Sequence, residues 1–304
     1  MKMDNIIAVA WVVAGWLFVL SGCTRMPLYE ATSRIELLVD WKLEPSHSVP
    51  PCNQVQVMFY HRETHELMFT YVLPAKGGEI VLPPGLYDMV LYGVGTERTQ
   101  IRSLKKYQWI EAYTENTDRP SVFDGQDVLY SPDHLYVARR RDLEIPSMRA
   151  MDQVQKIRVE ASSIVEEYSL EVAIKEGAEY IDRVEAYISG QARSNYFARP
   201  ELRAEAVSLY LDMNFLPKEN LLQSTFETFG KLPGEQSEVF LRVSIINIDG
   251  TTQDHIYDIT DEFEQDDNQL LIDDSIVVDI PKIDNDAMVP IPNPWNEEVI
   301  VIPL

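Results

Sequence analysis

Tyr168-Ser169-Leu170-Glu171-Val172-Ala173-Ile174-Lys175 is the stretch that decides the fold class. Tyr168, Leu170, Val172 and Ile174 alternate with Ser169, Glu171, Ala173 and Lys175, a period of two that puts the large apolar side chains on one face of an extended chain. The period recurs on both sides. Upstream, Ile35, Leu37, Val39 and Trp41 alternate with Glu36 and Asp40, broken only by Leu38, and Val55, Val57 and Phe59 oppose Gln54, Gln56 and Met58. Downstream, Val207, Leu209 and Leu211 oppose Ser208, Tyr210 and Asp212, and Val239, Leu241, Val243 and Ile245 oppose Phe240, Arg242 and Ser244. Ile276, Val278 and Ile280 stand against Ser275 and Asp279. Leu86 to Tyr92 is an apolar run that holds only Asp88, behind the turn signal Pro83-Pro84-Gly85. Turn chemistry also falls at Lys76-Gly77-Gly78, Pro233-Gly234 and Asn247-Ile248-Asp249-Gly250. Strands half buried in this way fit antiparallel sheets packed face to face. Only Pro146 to Gln155 and Glu201 to Ala206 tempt a helix, and both are short. The chain is expected to be all-β.

Charge locates a division. The 304 residues hold 49 acidic and 26 basic side chains, net −23, while 45% are hydrophobic, enough to bury a core. From Thr24 to Glu144 there are 13 basic and 17 acidic residues (13 − 17 = −4); from Ile145 to Leu304 there are 12 and 31 (12 − 31 = −19). The shift lies near Arg139-Arg140-Arg141, ahead of Ile145-Pro146, where the strand pattern pauses before Ile157 and Val159. Two sandwiches are expected, over residues 32–145 and 146–304, the second with a Pro-punctuated tail. The acidic balance argues against nucleic acid as a partner, since phosphate backbones are bound by clustered Lys and Arg.

The first residues read as an address. Ile6 to Leu20 is an uncharged run of 15 residues, short of the ~20 that span a bilayer and the length of a signal-peptide core. Leu20-Ser21-Gly22-Cys23 follows, and it resembles the lipobox of bacterial lipoproteins. The resemblance implies a signal peptide over residues 1–22, lipid on the Cys23 thiol and amine, and a tether over 23–31. Several acyl chains hold a protein on a membrane at ~0.8 kcal/mol per buried methylene. An uncleaved anchor with a chance cysteine is the competing reading, and length, position and tetrapeptide together favour the lipobox. Cys52 then has no cysteine to pair with, and it stands in a turn-like stretch with no base in view, so it is expected to be inert.

Ordered short motifs run through the rest of the chain. They include Pro84-Gly85-Leu86-Tyr87-Asp88, Val90-Leu91-Tyr92-Gly93, Ala112-Tyr113-Thr114 and Ser131-Pro132-Asp133-His134-Leu135-Tyr136. The second half carries Val184-Glu185-Ala186-Tyr187-Ile188-Ser189-Gly190, Leu241-Arg242-Val243-Ser244, Tyr257-Asp258-Ile259-Thr260-Asp261 and Trp295-Asn296-Glu297-Glu298-Val299. With the lipobox, this order resembles Bacteroidales lipoproteins related to the fimbrillin superfamily, and especially fimbrial anchor subunits. The resemblance implies two tandem transthyretin-like β-sandwich domains held at the cell outer membrane through Cys23. It also implies fimbrillin-like subunits as partners, engaged by strand donation, which is β-augmentation in physical terms. Arg139 to Arg141 is a basic cluster that a trypsin-like processing enzyme could use. Surface and periplasmic orientations both remain open.

Val299, Ile300, Val301 and Ile302 form a strand pattern apolar on both faces, and are a candidate partner strand. Closing the chain's own second sandwich is the simpler reading, and entering or accepting a partner subunit is the sharper one. The rival function is glycan binding, with Trp109 (near Tyr107 and Tyr113) and Trp295 as stacking platforms. No catalytic constellation is expected. His61-Arg62-Glu63-Thr64-His65 lacks the zincin order and lies between two strand patterns, so it reads as a hairpin loop. His134 reads as a turn residue. The acidic stretch from Asp258 to Asp274 could take calcium, but it contains no EF-hand loop and fits a solvated acidic face. No cofactor is expected.

Overall fold

The computed structural model describes residues 32–43, 48–50, 52–147, 154–198, 205–232, 238–264 and 269–279. Its strands, in chain order, begin with β1 (Ser33–Lys42), β2 (Gln54–His61), β3 (Leu67–Pro74), β4 (Gly77–Leu82) and β5 (Gly85–Val94). Three short strands follow, β6 (Gln100–Arg102), β7 (Glu111–Tyr113) and β8 (Val128–Tyr130), and then β9 (Tyr136–Ile145) and β10 (Val154–Ser163). The rest are β11 (Glu166–Glu176), β12 (Ile181–Ala192), β13 (Ser194–Tyr196), β14 (Ala206–Leu211) and β15 (Asn214–Leu216), with β16 (Leu221–Thr228), β17 (Phe240–Asn247), β18 (Thr252–Asp258) and β19 (Gln269–Val277). Short 3-10 turns aside, the described chain is all-β, as its alternation requires.

The chain divides into two compact units that interleave in sequence: residues 1–95, 103–110 and 136–163 in the first, and 96–102, 111–135 and 164–304 in the second. The expected division at 145/146 is therefore corrected. Arg139 to Arg141 lie inside β9, Arg139 and Arg140 paired with Val90 and Met89 of β5, and not in an open loop. β10, beyond them, returns to lie parallel to β1, with Leu37 opposite Ile157 and Val39 opposite Val159. Parallel partners need a long crossover and leave no trace in local spacing. Charge balance thus marked a place close to the boundary without showing that the first unit still lacked a strand.

The first unit is one seven-stranded sheet, β3-β2-β5-β9-β10-β1-β4. β9 and β10 meet only at Ser162–Val137 and Ser163–Tyr136, so the sheet bends there and its two flanks share a core. Ile35, Leu37, Val57, Phe59, Leu91 and Ile157 fill that core, and each buried aliphatic side chain contributes about 1.5–3 kcal/mol. Trp41 packs edge-on against Tyr136 at 5.6 Å and donates its indole N–H to the Ala75 carbonyl. Gly77 makes the β3–β4 turn at φ 95°, where a Cβ would lie 2.0 Å from the Leu37 carbonyl oxygen. Asp88, the one charge in the apolar β5 run, is fully buried; it accepts the Asp142 N–H, and the Arg62 guanidinium lies 3.8 Å away.

The second unit is a sandwich of a four-stranded sheet, β15-β16-β11-β19, and a five-stranded sheet, β18-β17-β12-β14-β8. Tyr168, Leu170, Val172 and Ile174 of β11 face Ile188, Leu209, Leu241 and Val243 across one core. Tyr168 stacks on Phe263 at 4.3 Å. A three-stranded sheet, β13-β7-β6, completes this unit.

Candidate functional site

β18 is an edge strand of the five-stranded sheet, paired among the described residues only with β17. Its alternation places Gln253, His255 and Tyr257 on one face and Thr252, Asp254, Ile256 and Asp258 on the other. An edge strand offers unpaired backbone N–H and C=O groups to any chain laid beside it. Ile256 adds an apolar side chain 62% exposed, opposite Arg242. The first end of the strand is clasped: the Gln253 amide donates to the Val277 carbonyl at 2.8 Å and accepts the Asp279 N–H at 2.9 Å. The open length is the other end, His255 to Asp258. The chain leaves the described sandwich at Asp279, beside this edge.

The outer face of β12 and β14 in the same sheet is covered. A strap over residues 116–127 crosses it, fixed by Gln126 Oε1, which accepts from the Gly190 N–H and the Ser208 hydroxyl. Arg193 ties the strap down through Asp127 and Asn116. Arg119 lies 3.7 Å over the Tyr210 ring, pairs with Glu185 at 2.9 Å and donates to the Tyr187 hydroxyl. Burial works against the Glu185 carboxylate, but the hydrogen bonds from Arg119 and Tyr187 hold it below the usual range. Phe123 stacks on Phe240 at 6.5 Å. At the sheet's edge, the Ser244 hydroxyl and then Arg242 hold Asp254 low. The aromatic faces here are occupied by the protein itself, and among the described residues the β18 edge beside them has no second strand partner.

Beside β16, a cleft of about 200 Å³ is lined by Glu97, Arg98, Asp133, Tyr210, Asp212 and Glu227, among others. Burial, then the charges of Glu167 and Asp133, push the Glu227 carboxyl up to about 7. Ser131 forms the cleft's floor by bonding both backbone groups of Glu227, donating to its carbonyl and accepting its N–H.

Leu20, Ser21, Gly22 and Cys23 lie outside the described residues, as do Val299, Ile300, Val301, Ile302 and Trp295. Trp109 is 49% exposed, at the end of a 3-10 turn. Of its expected companions, Tyr107 is buried against Tyr60 and His65, and the Tyr113 ring is covered by Arg102 at 4.4 Å. His61 and His65 sit on the β2–β3 hairpin as expected, with separate partners. His61 Nδ1 accepts the Glu63 and Thr64 N–H groups, while His65 Nδ1 lies 3.5 Å from Asp88. Cys52 is half-buried, and burial pushes its thiol up, away from the reactive thiolate. In the acidic stretch, the Asp258 carboxylate accepts from the Thr260 hydroxyl and N–H; the side chains of Asp266, Asp267, Asp273 and Asp274 are outside the described set. Arg119 and Glu227 went unmarked in the sequence, while Tyr187 and Tyr210 were read only as parts of a motif and a strand. The alternations of Ser208, Tyr210 and Asp212 and of Phe240, Arg242 and Ser244 against apolar faces were the signals that pointed to that outer surface.

A family described as a domain of unknown function, DUF5119, matches residues 22–212. The chain is 26% identical over 263 residues to the "Putative fimbrium anchoring subunit Fim4B" of Bacteroides ovatus, covering 81% of this chain and 76% of that one. Among solved structures, a "putative adhesin" from Bacteroides ovatus superposes with a TM-score of 0.64 at 24% identity, covering 83% of this chain and 94% of that one. The fimbrial anchor protein Mfa2 from Porphyromonas gingivalis superposes with a TM-score of 0.50 at 15% identity, covering 78% and 87%. Likeness at these identities concerns the fold.

Proposed function

The chain belongs to the DUF5119 family, and on that premise we propose that it is a lipid-anchored fimbrial subunit of the outer membrane, one that holds or accompanies a fibre by strand contact. The observation that carries this reading is the likeness, across 81% of the chain, to a protein named as a fimbrium anchoring subunit. The tetrapeptide Leu20-Ser21-Gly22-Cys23 supports the membrane half of the proposal, with acyl chains on Cys23 as the attachment. The open β18 edge supports the assembly half. A strand laid beside His255 to Asp258 gains main-chain hydrogen bonds there, and Ile256 offers it an apolar contact. Fimbrillin-like subunits are the partners of this proposal, and its chemistry is contact rather than bond-making.

The candidate partner strand of this proposal is Val299 to Ile302, a sequence apolar on both faces.

Cys23→Ala tests the membrane half in cells that make the fibre. The expected result is loss of incorporated palmitate label, recovery of the chain in the soluble fraction, and fibres shed into the medium. Retention of both chain and fibre on the cells would overturn it.

A further inference from the structure

A second feature of the sandwich lies on the outer face of its four-stranded sheet. Glu167 of β11 and Glu227 of β16 stand directly opposite each other across the antiparallel pair. Their neighbours Tyr168 and Phe226 point into the core, so both carboxylates share the other face. Like charges placed directly opposite on one face are destabilising. His134 comes over them from the segment between β8 and β9, its side chain 7% exposed and its Nδ1 3.9 Å from Glu227 Oε1. One donor atom from each of the three residues lies within 4.8 Å of the other two.

The backbone fixes this arrangement. β15 pairs with β16 only as far as Gln223, and beyond it Ser131 takes up the Glu227 N–H and carbonyl in place of a strand. Asp133 accepts the Thr99 N–H at 2.8 Å, and its own N–H donates to the Thr99 hydroxyl at 2.7 Å. His134 is therefore held on a segment pinned at two points, over a rigid strand pair. Glu227, one member of the cluster, also lines the cleft beside β16.

We propose that His134, Glu167 and Glu227 bind a zinc ion, which clips the 131–134 segment onto β11 and β16. One imidazole with two carboxylates is a borderline donor set that suits zinc; calcium and magnesium take oxygen ligands alone. Bonds of about 2.0–2.2 Å bring tetrahedral donors to about 3.4 Å apart. Small rotations of the two glutamate side chains close that difference, and a water supplies the fourth ligand. The ion's charge turns the opposed carboxylates from a strain on the β11–β16 pair into its fastening.

Zinc chloride titrated into the chelator-stripped full chain tests this by calorimetry and thermal unfolding. The expected result is saturable one-to-one binding and a rise in melting temperature of about 5–10 °C at a hundredfold excess over the dissociation constant. Glu167→Gln and His134→Ala should each lose that rise. Metal-free Glu167→Gln should melt no lower than the parent chain, because it removes a like-charge opposition, and so loss of binding is separable from loss of fold. No zinc response in the parent chain, an equal response in both variants, or a response to calcium in place of zinc would overturn the proposal.

Discussion

His255 is the histidine on the inner face of the β18 edge strand, beside Tyr257 and opposite Val243. Burial lowers its pKa below the ordinary 6.5, against the opposing pull of Asp254 and Asp279. The imidazole is thus neutral in the folded chain at pH values where the unfolded chain already takes up a proton. The unfolded state binds more protons as pH falls below about 6.5, so stability present at neutral pH declines on acidification. His255→Gln should flatten the fall in denaturation midpoint between pH 7 and pH 5.5. Equal pH slopes for the two proteins would show that His255 does not titrate differently on unfolding. Asp88 illustrates a different solution at the same scale. A buried carboxylate in an apolar strand is tolerated because the Asp142 N–H and the Arg62 charge converge on it.

At the scale of elements, β18 bears the functional reading. Ile256→Lys leaves the strand's pairing with β17 intact and removes an exposed apolar contact, so stability should change by no more than about 0.5 kcal/mol. Capture of a fimbrial subunit should weaken at least tenfold, about 1.4 kcal/mol, in a binding titration. Unchanged capture would place the contact elsewhere. The elements that alternation reveals are those with one face in a core and one in solvent: β1, β11 and β17 are of this kind. β12 hid itself for a physical reason. From Ala186 to Ala192 it is buried at every position, because the 116–127 strap covers the face that would otherwise be polar, and the period of two disappears. β6, β7, β8, β13 and β15 have three residues each, too few to show a period. The candidate edge was not legible as a strand: Tyr257 and Asp258 were read only within an ordered motif, because both faces of Thr252–Asp258 are mostly polar. Its position at the sheet's margin was hidden as well, since sheet order depends on pairings between distant segments.

For the whole molecule, the interleaving of the two units sets what can be separated. A fragment ending at Ile145 lacks β10, the parallel neighbour of β1, and exposes Ile35, Leu37 and Val39 along an unpaired edge. The fragment from residue 146 onward lacks β8, which closes the five-stranded sheet beside β14, and the strap that covers its face. Neither fragment should unfold cooperatively, and circular dichroism during urea titration would check this; a sharp transition in either would contradict the interleaved division. We propose that this sandwich works by offering a strand edge to a fibre subunit while its N-terminus is held at the membrane. Amide hydrogen exchange of the full chain, with and without a purified fimbrial shaft subunit, tests that claim most directly. Exchange at His255 to Asp258 should slow at least tenfold in the complex, the mark of new main-chain hydrogen bonds along β18. Unchanged exchange there in a complex that forms and is protected elsewhere would contradict it.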